Sequence, residues 1–155
     1  MTEKLPQPIP REINLRPVAS FGRGYLTFLE THGFEPGHPS LLPFRPERIF
    51  WIYDVPKDVV RGEHAHKHGD QIFICAHGTI LVETQTGRVA GSVRRWVHVL
   101  QQPTDALYVP AGLWVTLRFR ERHSVLFCLA PDCYDEGDYI RKWDEYMKWF
   151  GEKYG

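Results

Sequence analysis

The residues that invite chemistry lie in one short run, RGEHAHKHGDQIFICAHG, at positions 61–78. It sets His64, His66 and His68 just ahead of an apolar stretch. Imidazole is the side chain whose ordinary pKa lies near neutrality, so paired histidines can take and return protons at physiological pH. They can equally ligate a transition metal. On a β-strand alternate side chains share a face, which points His64 and His66 the same way and Ala65 the other. After the turn KHGD, Gln71, Phe73 and Cys75 fall on one face of the next strand, with Ile72 and Ile74 on the other. His64, His66 and Gln71 therefore surround one cavity. The plainer alternative is a pair of exposed or hydrogen-bonded histidines, or a solvated loop. The glycine before them, the hairpin after and the later Pro110–Ala111–Gly112 corner weigh against it.

The donor set argues against a metal. Zinc and iron want three or four good ligands, and two imidazoles with an amide fall short. His68 sits in the turn, where strand parity does not fix its direction. The expectation is a site with no metal and no other cofactor.

The scaffold for these residues reads as β-rich. The chain has 155 residues, the size of one domain with a real core, so 1–155 is taken as a single unit. Candidate strands run through 24–30, 48–55, 71–78, 79–87, 94–101, 105–110, 113–119 and 124–130, separated by Gly, Pro or charged turns. So many short, evenly spaced strands predict a sandwich or barrel. Only the tail is helical by period: Ile140, Trp143, Met147 and Phe150 form one stripe, predicting a helix over 138–152 laid on the barrel as a lid. Residues 1–12 are proline-rich and read as a flexible or arm-like segment. With 19 basic and 19 acidic residues there is no nucleic-acid footprint. No apolar run approaches the roughly 18 residues of a membrane span, and no signal peptide is evident, so a soluble cytoplasmic protein is expected. Cys75 and Cys128 lie in apolar runs and read as reduced core residues.

His-x-His followed by a polar residue, with a later Pro-x-Gly, resembles the cupins, small jelly-roll β-barrels. Metal-binding cupins carry a glutamate where this chain has Gln71, or Asp70 one earlier, and a histidine where it has Val115. More of the chain resembles the cupin-type sugar-nucleotide 3,4-ketoisomerases (WxcM-like). The resemblance runs from about Phe21 to Phe150 and rests on RGxHAHxxxxQ, on Arg23, Gly24, Leu26 and Glu30, on Pro110, Gly112 and Trp114, and on Tyr134 to Arg141. The chain departs from the family pattern at Phe21, where an Asp is usual, and at Val115, where a His often follows the Trp. Its loops at 31–43 and 88–96 are also longer.

The resemblance implies a mainly β cupin (jelly-roll) barrel with a C-terminal α-helix, a homodimer, and a dTDP-linked 4-oxo-6-deoxyhexose as substrate. The reaction would move the keto group from C4 to C3, on the route to dTDP-3-amino-3,6-dideoxyhexoses. Removing the C3 proton gives an enediol, which is reprotonated at C4. Two imidazoles on one strand face, roughly 6.6 Å apart along the backbone, can span adjacent sugar carbons. His64 is the expected C3 base and His66 its partner. Arg23, Arg48 and Arg61 are candidates for the diphosphate. Gln71, Tyr108, Trp114 and Tyr139 are candidates to line the sugar or base pocket. His32, His38, His77, His98 and His123 have no motif around them and read as structural or exposed. A sugar-nucleotide 3,5-epimerase and a non-catalytic sugar-nucleotide binder are the competing functions.

Overall fold

The computed structural model describes residues 5–19, 22–30, 42–57 and 59–155. Two five-stranded antiparallel sheets face each other. The first runs β1 (Arg11–Asn14), β9 (Asp105–Val109), β6 (Gln71–His77), β11 (Val125–Ala130), β4 (Arg48–Ile52). The second runs β12 (Tyr139–Ile140), β5 (Val60–His66), β10 (Trp114–Phe119), β7 (Ile80–Gln85), β8 (Arg95–Leu100). A small ribbon, β2 (Val18–Ala19) with β3 (Tyr25–Leu26), stands apart from both. This is a cupin-type jelly roll. No helix among the described residues is long and apolar enough to cross a membrane.

Alternation along the strands decides what faces inward. Phe73 and Cys75 on β6, Leu107 and Val109 on β9, and Val115, Leu117 and Phe119 on β10 are buried together between the sheets. Ile72 and Ala106 point the other way and join Ile13 and Leu15 in a second apolar layer. Cys75 and Cys128 are free and buried, and burial pushes both thiols up.

A third layer seats an α-helix, α1 (Trp143–Tyr154), against the outer face of the second sheet. Its buried stripe is Tyr146, Phe150 and Tyr154, packed on Ala65 and Trp114. The helix expected over 138–152 therefore starts later. Tyr139 and Ile140 pair with His66 and Ala65 as β12, and Glu136–Asp138 form a 3₁₀ turn. Strand pairing beats helical period because it buries Ile140 while satisfying its backbone. The described part of the N-terminal segment is also firmer than expected: Pro8 and Pro10 are buried, and Arg11–Asn14 pair with β9. The strand predicted over 24–30 shrinks to Tyr25–Leu26, with both side chains exposed. The loop at 31–43, with His32 and His38, lies almost wholly outside the described residues, as do Phe21 and Met1–Lys4.

The Tyr146 hydroxyl is shared between the carbonyls of Gln85 and Gly112, at 2.9 Å each. It ties the helix to the Pro110–Gly112 corner. Tyr146→Phe leaves buried carbonyls without their donor and should cost about 1–3 kcal/mol. Thermal unfolding should then shift down by roughly 2–4 °C for each kcal/mol lost; an unchanged midpoint would mean the hydroxyl is not a tie.

Candidate functional site

A β-bulge sets the phase of the histidines. Across β5 and β10, Leu117 opposes Arg61 and Thr116 opposes Gly62, but Val115 opposes His64, so Glu63 is the extra residue. Gly62 and Glu63 both take positive φ, 82° and 55°. A Cβ at Gly62 would stand 2.7 Å from the Val115 carbonyl oxygen, so only glycine fits there. Without the insertion, parity would set Arg61 and His64 on opposite faces. With it, Arg61, His64 and His66 all face inward while Ala65 packs outward on the helix.

The two imidazoles meet edge to face, ring centroids 5.2 Å apart, beneath the ring of Tyr139 at 5.0 Å from His64 and 4.2 Å from His66. The Arg141 guanidinium lies over the ring of Tyr139 at 4.3 Å and forms a bidentate pair with Glu136 at 2.8 and 2.9 Å. Tyr134 donates to the same carboxylate. Those two donors hold Glu136 down to about 2.

His66 is fixed by Asp138, whose Oδ2 lies 2.8 Å from Nδ1. Asp138 also accepts from the His68 and Gly69 amides at 2.8 and 3.2 Å. Burial alone would raise this carboxyl, but these hydrogen bonds outweigh it and keep it below the ordinary value. An anionic Asp138 fixes the proton of neutral His66 on Nδ1 and leaves Nε2 as a bare lone pair. That Nε2, and Nδ1 of His64, are buried without a hydrogen-bond partner among the described residues. Burial lowers His66 despite Asp138, and lowers His64 to about 4 against the opposing Gly62 backbone. Both imidazoles are neutral at pH 7.

Two cavities flank the pair. One of about 500 Å³ is reached by Arg61, His64, Val115 and Arg141. The other, of about 310 Å³, is reached by Arg48, His66 and Asp138. Gln71, buried, and Tyr139 line both and so divide them. Arg48 has its Nε buried without a hydrogen-bond partner among the described residues, beside the rings of Phe50 and Tyr134.

The other expected residues stand elsewhere. Tyr108 faces away from the barrel interior, donating to Asp70 at 2.8 Å beside Arg11. Trp114 packs against Trp143 and Tyr146 under the helix. Neither lines a cavity at the histidines, which corrects their expected place. Arg23 is exposed in the β2–β3 turn and is not among the described residues lining either cavity. Of the histidines without a motif, His77 and His123 are exposed, and His98 bonds Glu12 at 2.8 Å. Asp138, Glu136, Tyr134 and Arg141 went unassigned in the sequence, though all lie in the quoted 134–141 stretch.

A transition metal does not fit these donors. Val115 faces His64 where a third imidazole would stand, Gln71 offers an amide, and Nδ1 of His66 is committed to Asp138. Asp70 is spent on Tyr108 and the Ala111 amide. Among the described residues no three His, Cys, Asp or Glu side chains converge.

A jelly-roll barrel whose inward strand face carries a buried imidazole pair, one ring braced by a carboxylate, is a cupin. Residues 11–151 match the model of the family FdtA (WxcM-like, C-terminal). A TDP-4-oxo-6-deoxy-α-D-glucose-3,4-oxoisomerase of Aneurinibacillus thermoaerophilus is 32% identical over 111 residues, covering 72% of this chain and 76% of that one. A 3,4-ketoisomerase from Helicobacter canadensis superposes with a TM-score of 0.79 at 29% identity, over 91% of this chain and 96% of that one. A histidine-to-asparagine mutant of the 3,4-ketoisomerase QdtA of Thermoanaerobacterium thermosaccharolyticum, in complex with TDP-4-keto-6-deoxyglucose, gives 0.77 at 28% identity, over 94% and 96%. The chain belongs to the FdtA family of cupin-type sugar-nucleotide 3,4-ketoisomerases.

The depressed pKa of His64 makes a stability prediction. Between pH 6.5 and about 4 the unfolded chain binds a proton that the folded chain does not. Stability is therefore full above 6.5 and is lost as pH falls toward 4, by about 3 kcal/mol at roughly 1.4 kcal/mol per pKa unit. Urea unfolding at neutral pH and near about pH 4.5 should show His64→Asn losing clearly less stability than wild type. Equal losses in the two proteins would show that His64 is not desolvated.

Proposed function

We propose that this protein moves the keto group of dTDP-4-oxo-6-deoxyglucose from C4 to C3 by proton transfer through an enediol, with His64 as the C3 base and His66 as its partner. The product, a 3-oxo sugar, is suited to amination on the way to a dTDP-3-amino-3,6-dideoxyhexose. The observation that carries this reading is the pair of neutral, edge-to-face imidazoles with a free nitrogen each, one braced by Asp138.

The ketone at C4 makes the C3 proton acidic. Neutral His64, on the wall of the larger cavity, accepts it as the C3–H electron pair becomes the enediolate. The proton of the C3 hydroxyl passes to O4 by way of the imidazole pair before C4 is reprotonated. Developing negative charge on the enediolate favours imidazolium beside it, as does Glu136, which raises His64. Asp138 plays the part of a carboxylate behind a histidine, holding ring orientation and tautomer. Arg48, Arg61 and Arg141 are the cations bordering the two cavities, and Arg61 and Arg141, on the larger one, suit the substrate's diphosphate. No metal or redox cofactor takes part in this scheme.

The reading is tested by following dTDP-4-oxo-6-deoxyglucose by proton NMR with metal-stripped protein. A 3-oxo product should form, and His64→Asn should lower kcat by about 10²–10⁴-fold with KM little changed. Exchange confined to C5 would point to an epimerase. Binding without turnover would make the protein a receptor.

The homodimer belongs to the same reading. Ile49, Trp51 and Phe127 lie exposed and contiguous on the outer face of the first sheet, Trp51 and Phe127 with rings 5.8 Å apart. A second copy covering this apolar face would remove it from water. Trp51→Glu should convert a dimer to a monomer in light scattering; a dimer unaffected by it would place the interface elsewhere.

A further inference from the structure

We propose that the smaller cavity is a solvent port, through which the histidine pair exchanges protons with bulk water while the nucleotide sugar fills the larger one. The proposal rests on the isomerase reading and adds a path to it.

The two histidines open on different cavities. His64 lines the larger one and His66 the smaller, with Gln71 and Tyr139 as the partition. A nucleotide sugar seated at His64 excludes water from that side, and a proton taken from C3 would stay on the imidazole unless another way out existed. His66 supplies it, because its ring touches His64 on one side and reaches the smaller cavity on the other.

The smaller cavity has the chemistry of a water chamber rather than of a second substrate pocket. Its 310 Å³ has room for about ten waters at the volume each occupies in the liquid. Asp70, Asp132, Asp135 and Asp138 line it against Arg48 and His68. So many carboxylates repel a diphosphate and favour protonated water. Nε2 of His66 and Nε of Arg48 are buried without partners among the described residues, and water satisfies such groups in a polar cavity. Asp138 joins the chamber to the ring, accepting from Nδ1 at 2.8 Å while lining the cavity itself.

The balance is one proton out and one in. The C3–H bond breaks, its electron pair forms the enediolate, and its proton leaves from His64 through His66 to solvent. The new C4–H bond forms with a proton drawn back by the same route, so hydrogen at C4 originates in water.

Cys133 provides the test, since it is exposed, free and on the cavity wall, whereas Cys75 and Cys128 are buried. One protein carries Cys133→Trp, and a second is wild type alkylated at Cys133 with N-ethylmaleimide. Each is run with wild type through a single turnover in deuterated water. Wild type should place deuterium at C4. Both plugged proteins should lose most of that label, keep the C3 hydrogen at C4, and show unchanged KM. Label at C4 unaffected by either plug would overturn the port, as would a manyfold rise in KM with the labelling unchanged, which would make the cavity part of the substrate site. Isomerisation by wild type with no deuterium at C4 overturns the port alone. No isomerisation by wild type overturns the isomerase reading and the port with it.

Discussion

One inserted residue governs the site. Strand β5 has to present Arg61, His64 and His66 on a single face, and a regular strand cannot do so because three is an odd spacing. The bulge at Gly62–Glu63 shifts the phase by one, and the close approach of the Val115 carbonyl to Gly62 makes the glycine obligatory. Holding Glu63 at positive φ carries a conformational cost of order 1 kcal/mol or more. The ladders to β10 and β12 on either side hold it there. The pairing of Val115 with His64, the dividing of the cavities and the contact with Tyr139 all follow from that shift.

Desolvation then gives the imidazoles their character. Buried, both stay neutral, and the carboxylate of Asp138, bonded to His66 and not to His64, sets the two apart. One ring has its tautomer fixed from behind. The other is held by packing against Tyr139 and the opposing strand. Two chemically identical side chains are thereby made inequivalent.

Much of this was legible in the residues. Alternation correctly set His64 with His66 and Ala65 opposite, and separated Gln71, Phe73 and Cys75 from Ile72 and Ile74. It held because each of those strands is buried on at least one face. The bulge was not legible, since Arg-Gly-Glu reads equally as regular strand. Tyr108 was misplaced because both faces of β9 are covered, so its apolar run carries no phase. Trp114 had a signal that went unused: it alternates with Thr116 and Arg118, the polar side of β10. The late start of α1 was hidden because Ile140 fits a helical stripe, while its partner Ala65 is distant in sequence. Asp138 escaped notice for the same reason, as nothing local distinguishes it from Asp132, Asp135 or Asp144.

The bond from Asp138 to His66 joins residues 72 apart in the chain. During synthesis the histidine motif emerges early, followed by most of the barrel, and the 134–141 clasp comes only after β11. Until then the imidazoles have neither their carboxylate nor their aromatic cover, and His66 has no fixed tautomer. A nascent or truncated chain ending before Tyr134 would carry the whole histidine motif and yet hold an open, hydrated pair. The site is thus completed by the order in which the chain is made, with its last strand acting as the final closure.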